Sequence, residues 1–297
     1  MNSGRKDQRE MAGPMPAEPA TCLFGQRRDD LGRRFVYAVV SQRARGLSIG
    51  INLTPDRHCN FDCIYCEVDH SQPVREHEVR LEILGQELDE VLALVRAKGL
   101  ATRPGFRTLP AELLELKEVA LSGDGEPTLC PQFCEVVETV ISRRARERAP
   151  FKLVLITNTS GLGRPEVRRS LELFQRWDEI WVKLDAGTQA GLDRVNRAGI
   201  NFRQVRANIL RLARRRPVVI QSLFPQIYGR GPSPKDVAKY VRCLRRLVAD
   251  GAQISLVQIY SAHRPPHRPE CAHVALSTLS DIARQVREST GLKAEVF

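Results

Sequence analysis

Three cysteines within eight residues, Cys59, Cys63 and Cys66, are the side chains whose types and spacing most clearly indicate chemistry in this sequence. The C-x3-C-x2-C pattern gathers soft thiolates, and thiolates are the usual protein ligands of iron–sulfur clusters. A [4Fe–4S] cluster has four irons, so three cysteines leave one iron open to an outside ligand. The spacing therefore predicts an iron–sulfur site with a vacant coordination position.

A structural zinc site completed by His58 or His70 is the alternative interpretation. Closed zinc sites usually combine two ligand pairs, and no second pair of suitable spacing follows, which disfavours zinc. The chain has eight cysteines, and those outside the triplet are scattered, which argues for a reducing compartment and against a disulfide framework. The protein is therefore expected in the cytoplasm.

Apolar runs typical of strands alternate with helical patterns along most of the chain. Strands are predicted at 47–53, 118–121, 151–156, 179–184, 217–223 and 254–259. Helices are predicted at 78–98, 131–148, 165–175, 188–212 with a break near Gly199, and 233–249. This alternation indicates an α/β fold with a parallel sheet, either doubly wound or an incomplete βα barrel. In both architectures ligands bind at the carboxyl ends of the strands, and the cysteine loop follows the first of them.

The predicted organisation is a disordered tail at 1–30, a single core domain at 31–275 and a helix–strand extension at 276–297. The tail has scattered charges, Pro and Gly, and it lacks the apolar segment of a signal peptide. Hydrophobic residues make up 42% of the chain and charged residues 27%, as is ordinary for globular proteins. Because no run of apolar residues is long enough to span a bilayer, no membrane partner is expected.

A glycine-rich turn, Ser-Gly-Asp-Gly-Glu-Pro at 122–127, follows the second predicted strand. Two glycines separated by one residue let the backbone approach a small ligand closely, and Glu126 adds a carboxylate suited to an ammonium group. The alternative is a tight strand-to-helix turn in which Pro127 starts the next helix. Both interpretations stay open at this point.

The fourth predicted strand has charged residues at its carboxyl end. Lys183 and Asp185 share a face there with Trp181. Charges at such a position need partners or a ligand. They therefore indicate either a bound molecule or a structural ion pair of Lys183 with Asp185 or Glu126.

Neutral polar residues close two further predicted strands. Asn158 and Thr159 follow the third strand, and Gln258 and Tyr260 close the sixth. Such groups suit ribose hydroxyls and adenine edges, although polar strand ends are also common where a strand meets solvent.

The cysteine triplet, with Tyr65 directly before its last cysteine, and the Gly125-Glu126-Pro127 sequence after the second strand resemble the radical S-adenosylmethionine (SAM) superfamily. The resemblance covers 43–266. Within that superfamily, the segments 41–50, 122–128, 182–186 and 258–266 are similar to the wyosine-synthase-like iron–sulfur oxidoreductases. Asp124 departs from the pattern, since many members have a glycine there.

The resemblance implies a partial (βα)6 TIM-like barrel with a [4Fe–4S] cluster on Cys59, Cys63 and Cys66. SAM would bind the fourth iron and be cleaved reductively to methionine and a 5′-deoxyadenosyl radical, which abstracts hydrogen from a substrate. A reducing electron donor, similar to flavodoxin or ferredoxin, is the implied partner.

The resemblance also implies roles for residues around SAM. Tyr65 would pack near adenine, Gly125 and Glu126 would hold the methionyl ammonium group, and Asp185 or Asn158 would contact ribose or carboxylate. The predicted cofactor-binding set is Tyr65, Gly125, Glu126, Asn158, Lys183, Asp185 and Gln258.

The formal net charge of +11 permits a nucleic-acid substrate, and a tRNA base is one candidate. The densest basic runs, at 143–148, 211–216 and 242–246, fall in the last turns of predicted helices, on the rim away from the cysteines. The loops at 228–233 and 263–268 lie on the cysteine rim and are therefore the expected substrate contacts, unless they are simply solvated.

Two other functions remain open from the sequence. A glycyl-radical activating enzyme would use the basic loops to dock a protein partner. A metal-bearing nucleic-acid-binding module would use the basic surface without catalysis.

Overall fold

The computed structural model describes residues 29, 31–74, 76–148, 151–262 and 268–297. The tail predicted at 1–30 therefore lies, apart from Asp29, outside the described residues, and so does the segment 263–267 of the predicted substrate loop.

Strands and helices alternate through the described ranges. The strands are β1 (Val36–Ser41), β2 (Gly46–Asn52), β3 (Leu116–Ser122), β4 (Lys152–Thr157), β5 (Glu179–Lys183), β6 (Val218–Leu223), β7 (Gln226–Ile227), β8 (Ile254–Tyr260), β9 (Cys271–Ala272) and β10 (Ala294–Val296). The helices are α1 (Leu81–Arg96), α2 (Phe133–Arg144), α3 (Pro165–Glu172), α4 (Gln189–Val195), α5 (Phe202–Ala213), α6 (Pro234–Ala249) and α7 (Leu276–Thr290).

One large sheet has the strand order β1-β2-β3-β4-β5-β6-β8-β10, and β7 pairs with β9 separately. From β2 to β8 neighbouring strands are parallel, because each connection returns through helices on the outer face. The predicted partial (βα)6 barrel is confirmed. The structure adds β1 as an antiparallel hairpin partner of β2 and β10 as a parallel partner of β8.

The two edges of this sheet approach each other. Arg45, in the turn between β1 and β2, forms an ion pair with Glu295 of β10, with Nη2 and Oε2 2.9 Å apart. Since β1 and β10 are the outermost strands, this contact shows that the sheet curls into a barrel-like form.

Alternate strand residues face opposite sides of the sheet. One face packs against the helices in the main hydrophobic core. The other face carries a separate cluster of Ala120, Val154, Trp181 and Val219, and we call the space it encloses the lumen. The carboxyl ends of the parallel strands form the rim at which ligands bind in such folds.

Gly50 of β2 allows a tyrosine to cross the lumen face. A Cβ at Gly50 would lie 2.0 Å from Cζ of Tyr37, its partner on β1. Without that Cβ, the Tyr37 ring passes over β2, and its hydroxyl lies 2.8 Å from Oγ of Ser122 on β3.

The break predicted near Gly199 separates α4 from α5. Asn201 caps α5 by accepting a hydrogen bond from the backbone N–H of Gln204. Gly199 donates its own N–H to the carbonyl of Asn60 over 2.7 Å, and a Cβ there would stand 2.7 Å from the same oxygen. The break therefore brings the chain against the cysteine loop.

Two arginines of the predicted basic runs have structural partners. Arg144, in the last turn of α2, pairs with the fully buried Asp178 carboxylate at 2.6 Å. Arg216, after α5, donates to the carbonyls of Leu171, Gln175 and Asp178 near the end of α3. These guanidiniums join neighbouring α/β units.

Candidate metal centre

The cysteine loop follows β2 and is held by backbone hydrogen bonds to other rim loops. Asp62 N–H donates to the carbonyl of Asn196 over 3.0 Å, and Ile64 N–H donates to that of Val195 over 2.9 Å. Glu126 N–H donates to the carbonyl of His58 over 3.0 Å. The turn after β3 and the end of α4 therefore hold the cysteine loop at residues next to Cys59 and Cys63.

Nitrogen donors surround two of the sulfurs. Phe61 N–H lies 3.4 Å from Sγ of Cys59, and Nδ2 of Asn158 lies 3.8 Å from the same atom. Nδ2 of Asn196 lies 3.3 Å from Sγ of Cys63. Amide donors of this kind stabilise thiolates that bind a metal or an iron–sulfur cluster.

The three thiols are half-buried, and this burial governs their protonation. Burial raises the pKa of Cys59 to about 11 and that of Cys63 to about 12, and it also raises the pKa of Cys66. Without a cation these groups are neutral thiols at neutral pH. A bound metal centre would supply the positive charge that makes them thiolates, which suits a metal-ligand role.

The three thiols do not converge on a single metal position in this structure. Among the residues that the structure describes, no three His, Cys, Asp or Glu side chains are arranged to hold a metal ion. The cysteines share one braced loop on the ligand rim, and their donor chemistry fits an iron–sulfur cluster.

The glycine-rich turn packs directly on the cysteine loop. A Cβ at Gly125 would lie 2.0 Å from the carbonyl oxygen of His58, directly before Cys59. A Cβ at Gly123, whose φ is +136°, would lie 2.2 Å from Oδ1 of Asn52. The glycines of this turn thus let its backbone pack closely on the cysteine loop and on β2, and the expected approach to a small ligand stays a prediction.

Glu126 is buried, and its carboxylate binds the neighbouring loops. Oε1 accepts hydrogen bonds from the hydroxyls of Thr128 and Thr157, each at 2.5 Å, and Oε2 accepts one from Asn158 N–H at 2.6 Å. Burial raises its pKa despite these hydrogen bonds. The predicted contact with an ammonium group stays a prediction, but the carboxylate already joins the turn to the end of β4.

Asp124, which departs from the superfamily pattern, has a partner that sequence reasoning missed. Nδ2 of Asn52 donates to its carboxylate over 2.8 Å, and Asp124 N–H donates back to Oδ1 of Asn52 over 3.1 Å. The sequence signal that could have indicated this pair is Asn52, a polar residue near the end of the first predicted strand. This reciprocal pair joins the turn to β2.

Asp185 is the centre of a buried network at the end of β5. It accepts hydrogen bonds from Leu223 N–H at 2.7 Å, from Nδ2 of Asn196 at 2.7 Å and from the Tyr65 hydroxyl. Nζ of Lys183 lies 3.2 Å from its Oδ1, so the structural ion pair considered from the sequence is present, with Asp185 and not Glu126 as the partner.

Lys183 lies between two aromatic rings. Its Nζ is 4.9 Å from the ring centroid of Tyr65 and 5.0 Å from that of Tyr260, and it donates to the Tyr260 hydroxyl over 2.7 Å. Burial alone would lower the pKa of Lys183, but Asp185 and Tyr260 outweigh it and the pKa is raised. Burial, followed by Asp185, raises the pKa of Tyr65. At neutral pH Lys183 is therefore charged and Tyr65 is a hydrogen-bond donor.

The remaining predicted residues also lie at this rim. Asn158 bonds to Oδ1 of Asn60 at 3.0 Å, next to Cys59. Gln258 is buried, and its Oε1 accepts a hydrogen bond from Nε2 of Gln221 at 3.3 Å. Of the predicted set, Gln258 and Lys183 are the members that extend into the lumen.

Three buried polar atoms at the rim lack hydrogen-bond partners among the described residues. They are Oγ1 of Thr54, Oγ1 of Thr159 and Oδ1 of Asn196, on the loops after β2, β4 and β5. Because an unpaired buried polar atom is costly, these groups fit a rim that binds a polar ligand.

Solved structures share this architecture. A radical SAM methyltransferase from Sphaerobacter thermophilus superposes with a TM-score of 0.59 at 16% sequence identity, over 88% of this chain and 68% of that chain. The chain has the fold of radical SAM enzymes. TYW1 with a lysine–pyruvate adduct bound gives a TM-score of 0.55 at 16% identity, over 87% of this chain and 85% of that chain. The resemblance noted in the sequence is thus confirmed at the level of the fold.

Curated relatives are named as UPF0026 proteins. One from Helicobacter pylori is 28% identical over 167 residues, which are 54% of this chain and 46% of that protein. Another, from Synechocystis, is 29% identical over 181 residues, which are 59% of this chain and 57% of that protein. The chain thus spans about half the length of the curated relatives it matches. No family model matches it.

Several basic residues of this rim are paired with carboxylates. Arg268 lies 2.6 Å and Arg197 3.6 Å from the carboxylate of Asp62, while Arg194 pairs with Asp236 at 2.9 Å. In the predicted loop at 228–233, Tyr228 is 77% exposed and Ser233 caps α6. None of the described helices has the length and apolar character to cross a bilayer.

Proposed function

We propose that the protein is a radical SAM enzyme with a [4Fe–4S] cluster on Cys59, Cys63 and Cys66. The observation that carries this proposal is the pair of amide donors, from Asn158 and Asn196, directed at the sulfurs of Cys59 and Cys63. These donors come from the loops after β4 and after α4, so the surrounding barrel favours thiolate ligands at this loop.

A [4Fe–4S] cluster, when bound, supplies the electron that cleaves SAM to methionine and a 5′-deoxyadenosyl radical for hydrogen abstraction. The residues of this chain hold the ligand loop, limit its contact with water and donate hydrogen bonds to its sulfurs. Such hydrogen bonds stabilise added negative charge and so raise the reduction potential. The electron would come from a flavodoxin- or ferredoxin-like donor.

The residues proposed to hold SAM are Tyr65, Gly125, Glu126, Asn158, Lys183, Asp185 and Gln258. Because the carboxylates of Glu126 and Asp185 are already hydrogen-bonded within the protein, we assign them mainly to positioning. Glu126 holds the 123–126 turn against the cysteine loop, and Asp185 holds Tyr65 at the edge of the lumen. The unpaired hydroxyls of Thr54 and Thr159 are additional ligand contacts in this proposal.

A tRNA base stays a candidate substrate. Arg194, Arg197 and Arg268, which would meet RNA phosphates at this rim, are ion-paired with carboxylates. RNA binding there requires those pairs to open.

Anaerobic reconstitution with iron and sulfide tests the proposal. The wild-type chain should gain absorbance of an iron–sulfur cluster and, with SAM and a reductant, release 5′-deoxyadenosine detected by mass spectrometry. Cys59→Ala, Cys63→Ala and Cys66→Ala should lose both signals. Cys134→Ala is the matched control, because this half-buried cysteine lies on α2 and should leave both signals intact.

Two results would contradict the proposal. One is a fully loaded wild-type protein that forms no 5′-deoxyadenosine above the Cys59→Ala background. The other is stoichiometric zinc that survives Cys59→Ala, which would favour the metal-bearing module.

A further inference from the structure

Arg43, in the turn between β1 and β2, places its guanidinium in the lumen. Its Cζ lies 4.6 Å from the ring centroid of Tyr260 and 6.0 Å from that of Trp181. Trp181 belongs to the lumen cluster, and Tyr260 is at the carboxyl end of β8. The Arg43 side chain therefore extends along the inner face of the sheet toward the carboxyl end of β8.

Within the described ranges, the guanidinium of Arg43 has neither a hydrogen bond nor an ion pair. Its neighbour Arg45, by contrast, has a carboxylate partner, Glu295, at 2.9 Å. The carboxylate that attracts Arg43 electrostatically is Glu118, which is held by Ser48 at 3.1 Å and faces Lys152 at 3.7 Å. The two aromatic rings fix the cation by cation–π contact and leave its N–H groups available to a ligand.

Other donors are available beside this guanidinium. The Tyr260 hydroxyl accepts its hydrogen bond from Lys183, so its own proton is free to be donated. The Oε1 of Gln258 is occupied by Gln221, which leaves the amide nitrogen of Gln258 as a donor. Asp185, the carboxylate nearest to Lys183, is already neutralised by that lysine. The guanidinium of Arg43, the Tyr260 hydroxyl and the amide nitrogen of Gln258 are thus donors left available in this part of the lumen, and together they match an anion with several acceptor oxygens.

The lumen is open to solvent and adjoins the cysteine loop. Arg43, Lys183 and Tyr260 keep a minor part of their surface exposed although they lie on or against the inner face of the sheet. Lys183 contacts the rings of both Tyr260 and Tyr65, and Tyr65 directly precedes Cys66. A continuous series of contacts thus leads from the proposed cluster ligands to Arg43.

We propose that the lumen binds the carboxylate or phosphate group of a small-molecule substrate, with Arg43 as its cation and Tyr260 and Gln258 as further donors. Arginine suits this role because its planar fork can donate two parallel hydrogen bonds to either group. That the anion belongs to a substrate rests on the proposed function. The anion site itself depends only on the folded chain.

Tryptophan fluorescence tests the site without a cluster. The chain has two tryptophans; Trp177 is 57% exposed and Trp181 is 2% exposed beside Arg43. In a Trp177→Phe background, the full-length chain is titrated with malonate and, separately, with inorganic phosphate, against sodium chloride of equal ionic strength. We expect saturable fluorescence changes with at least one of the two polyoxygen anions, and the preferred anion identifies a carboxylate or a phosphate group.

Variants assign the signal to Arg43. Arg43→Met should weaken binding by at least about tenfold, and Arg43→Lys should have an intermediate effect because lysine cannot donate in a bidentate manner. Arg215→Met, an exposed arginine after α5, is the matched control and should bind as before. Tyr260→Phe should weaken binding less than Arg43→Met.

The proposal is overturned if neither anion gives a saturable change beyond that of chloride, or if a folded Arg43→Lys and Tyr260→Phe both bind with unchanged dissociation constants. Since the titration needs neither iron nor SAM, it separates failure of the anion site from failure of the proposed radical chemistry.

Discussion

The side-chain amide of Asn196 donates to the sulfur of Cys63 over 3.3 Å and to the carboxylate of Asp185 over 2.7 Å. One side chain thus joins a proposed cluster ligand to the end of β5. The sulfur and the carboxylate are both acceptors, so the amide nitrogen is oriented toward them and Oδ1 is left without a partner among the described residues.

Asn196→Ala should therefore make the reduction potential of the reconstituted cluster more negative, because a donor to a ligand sulfur is lost. The potential is measured by redox titration followed by electron paramagnetic resonance. Asn201→Ala is the control, since Asn201 caps α5 and contacts no cysteine. An unchanged potential in Asn196→Ala would refute the role of this amide.

Gly125→Ala should lower the iron content of the reconstituted protein, because the added methyl would stand 2.0 Å from the His58 carbonyl oxygen and force the cysteine loop to move. Gly231→Ala is the control, since its φ is not positive and, apart from its chain neighbours, no atom of the described residues lies within 4 Å of the added methyl. Iron content and thermal unfolding are measured together. Equal iron content in the two variants would show that the turn does not determine the position of the ligands.

Arg144→Met should destabilise the fold by about 3–5 kcal/mol, because it leaves the Asp178 carboxylate buried without its cation. Urea unfolding of the protein gives the change in free energy. Arg242→Met, an exposed arginine on α6, should change it by less than about 0.5 kcal/mol. If the two variants were equally stable, Arg144 would be only one of the solvated charges of its basic run.

Lys183→Met should be less stable than the wild type at neutral pH, by an amount that shrinks in alkaline solution. The folded-state pKa of Lys183 is raised, with Asp185 and Tyr260 outweighing burial, so its charged form stabilises the fold. That stabilisation is complete below the unfolded pKa and is lost as the pH rises through the folded pKa.

Unfolding free energies of wild type and Lys183→Met, measured from neutral pH to above the usual lysine pKa, check this expectation. Lys235→Met is the control, because Lys235 is an exposed residue on α6. Its unfolding free energy should differ from that of the wild type by a small amount that does not change with pH. A Lys183→Met difference that stays constant or grows with pH would argue against the charged pair.

The six parallel strands β2, β3, β4, β5, β6 and β8 could be predicted from the sequence because each of them is a short, largely apolar run. The third strand, for example, is predicted at 151–156 and found at Lys152–Thr157. The break in the helical pattern was visible at Gly199, where only a residue without a side chain allows the approach to Asn60. Local periodicity and backbone freedom carry this information.

Side-chain partners could not be predicted in the same way. Asn196 and Cys63 are 133 residues apart in sequence, and their contact depends on how the loop after α4 folds back over the rim. Nothing in the sequence distinguishes Arg43 from the other arginines, but the assembled sheet brings it against Trp181 and Tyr260. Periodicity specifies which face a residue occupies, whereas pairing depends on the assembled barrel.

The ion pair between Arg45 and Glu295 joins residues 250 positions apart. During synthesis, β1 and β2 emerge early, yet the edge opposite their turn is missing until β10 has been made and has paired with β8. A nascent chain therefore has an unsealed barrel until β10 is made, although Trp181 and Tyr260, the rings beside Arg43, come earlier in the chain. Deleting the last strand would accordingly open the edge of the barrel beside the turn that carries Arg43 and Arg45.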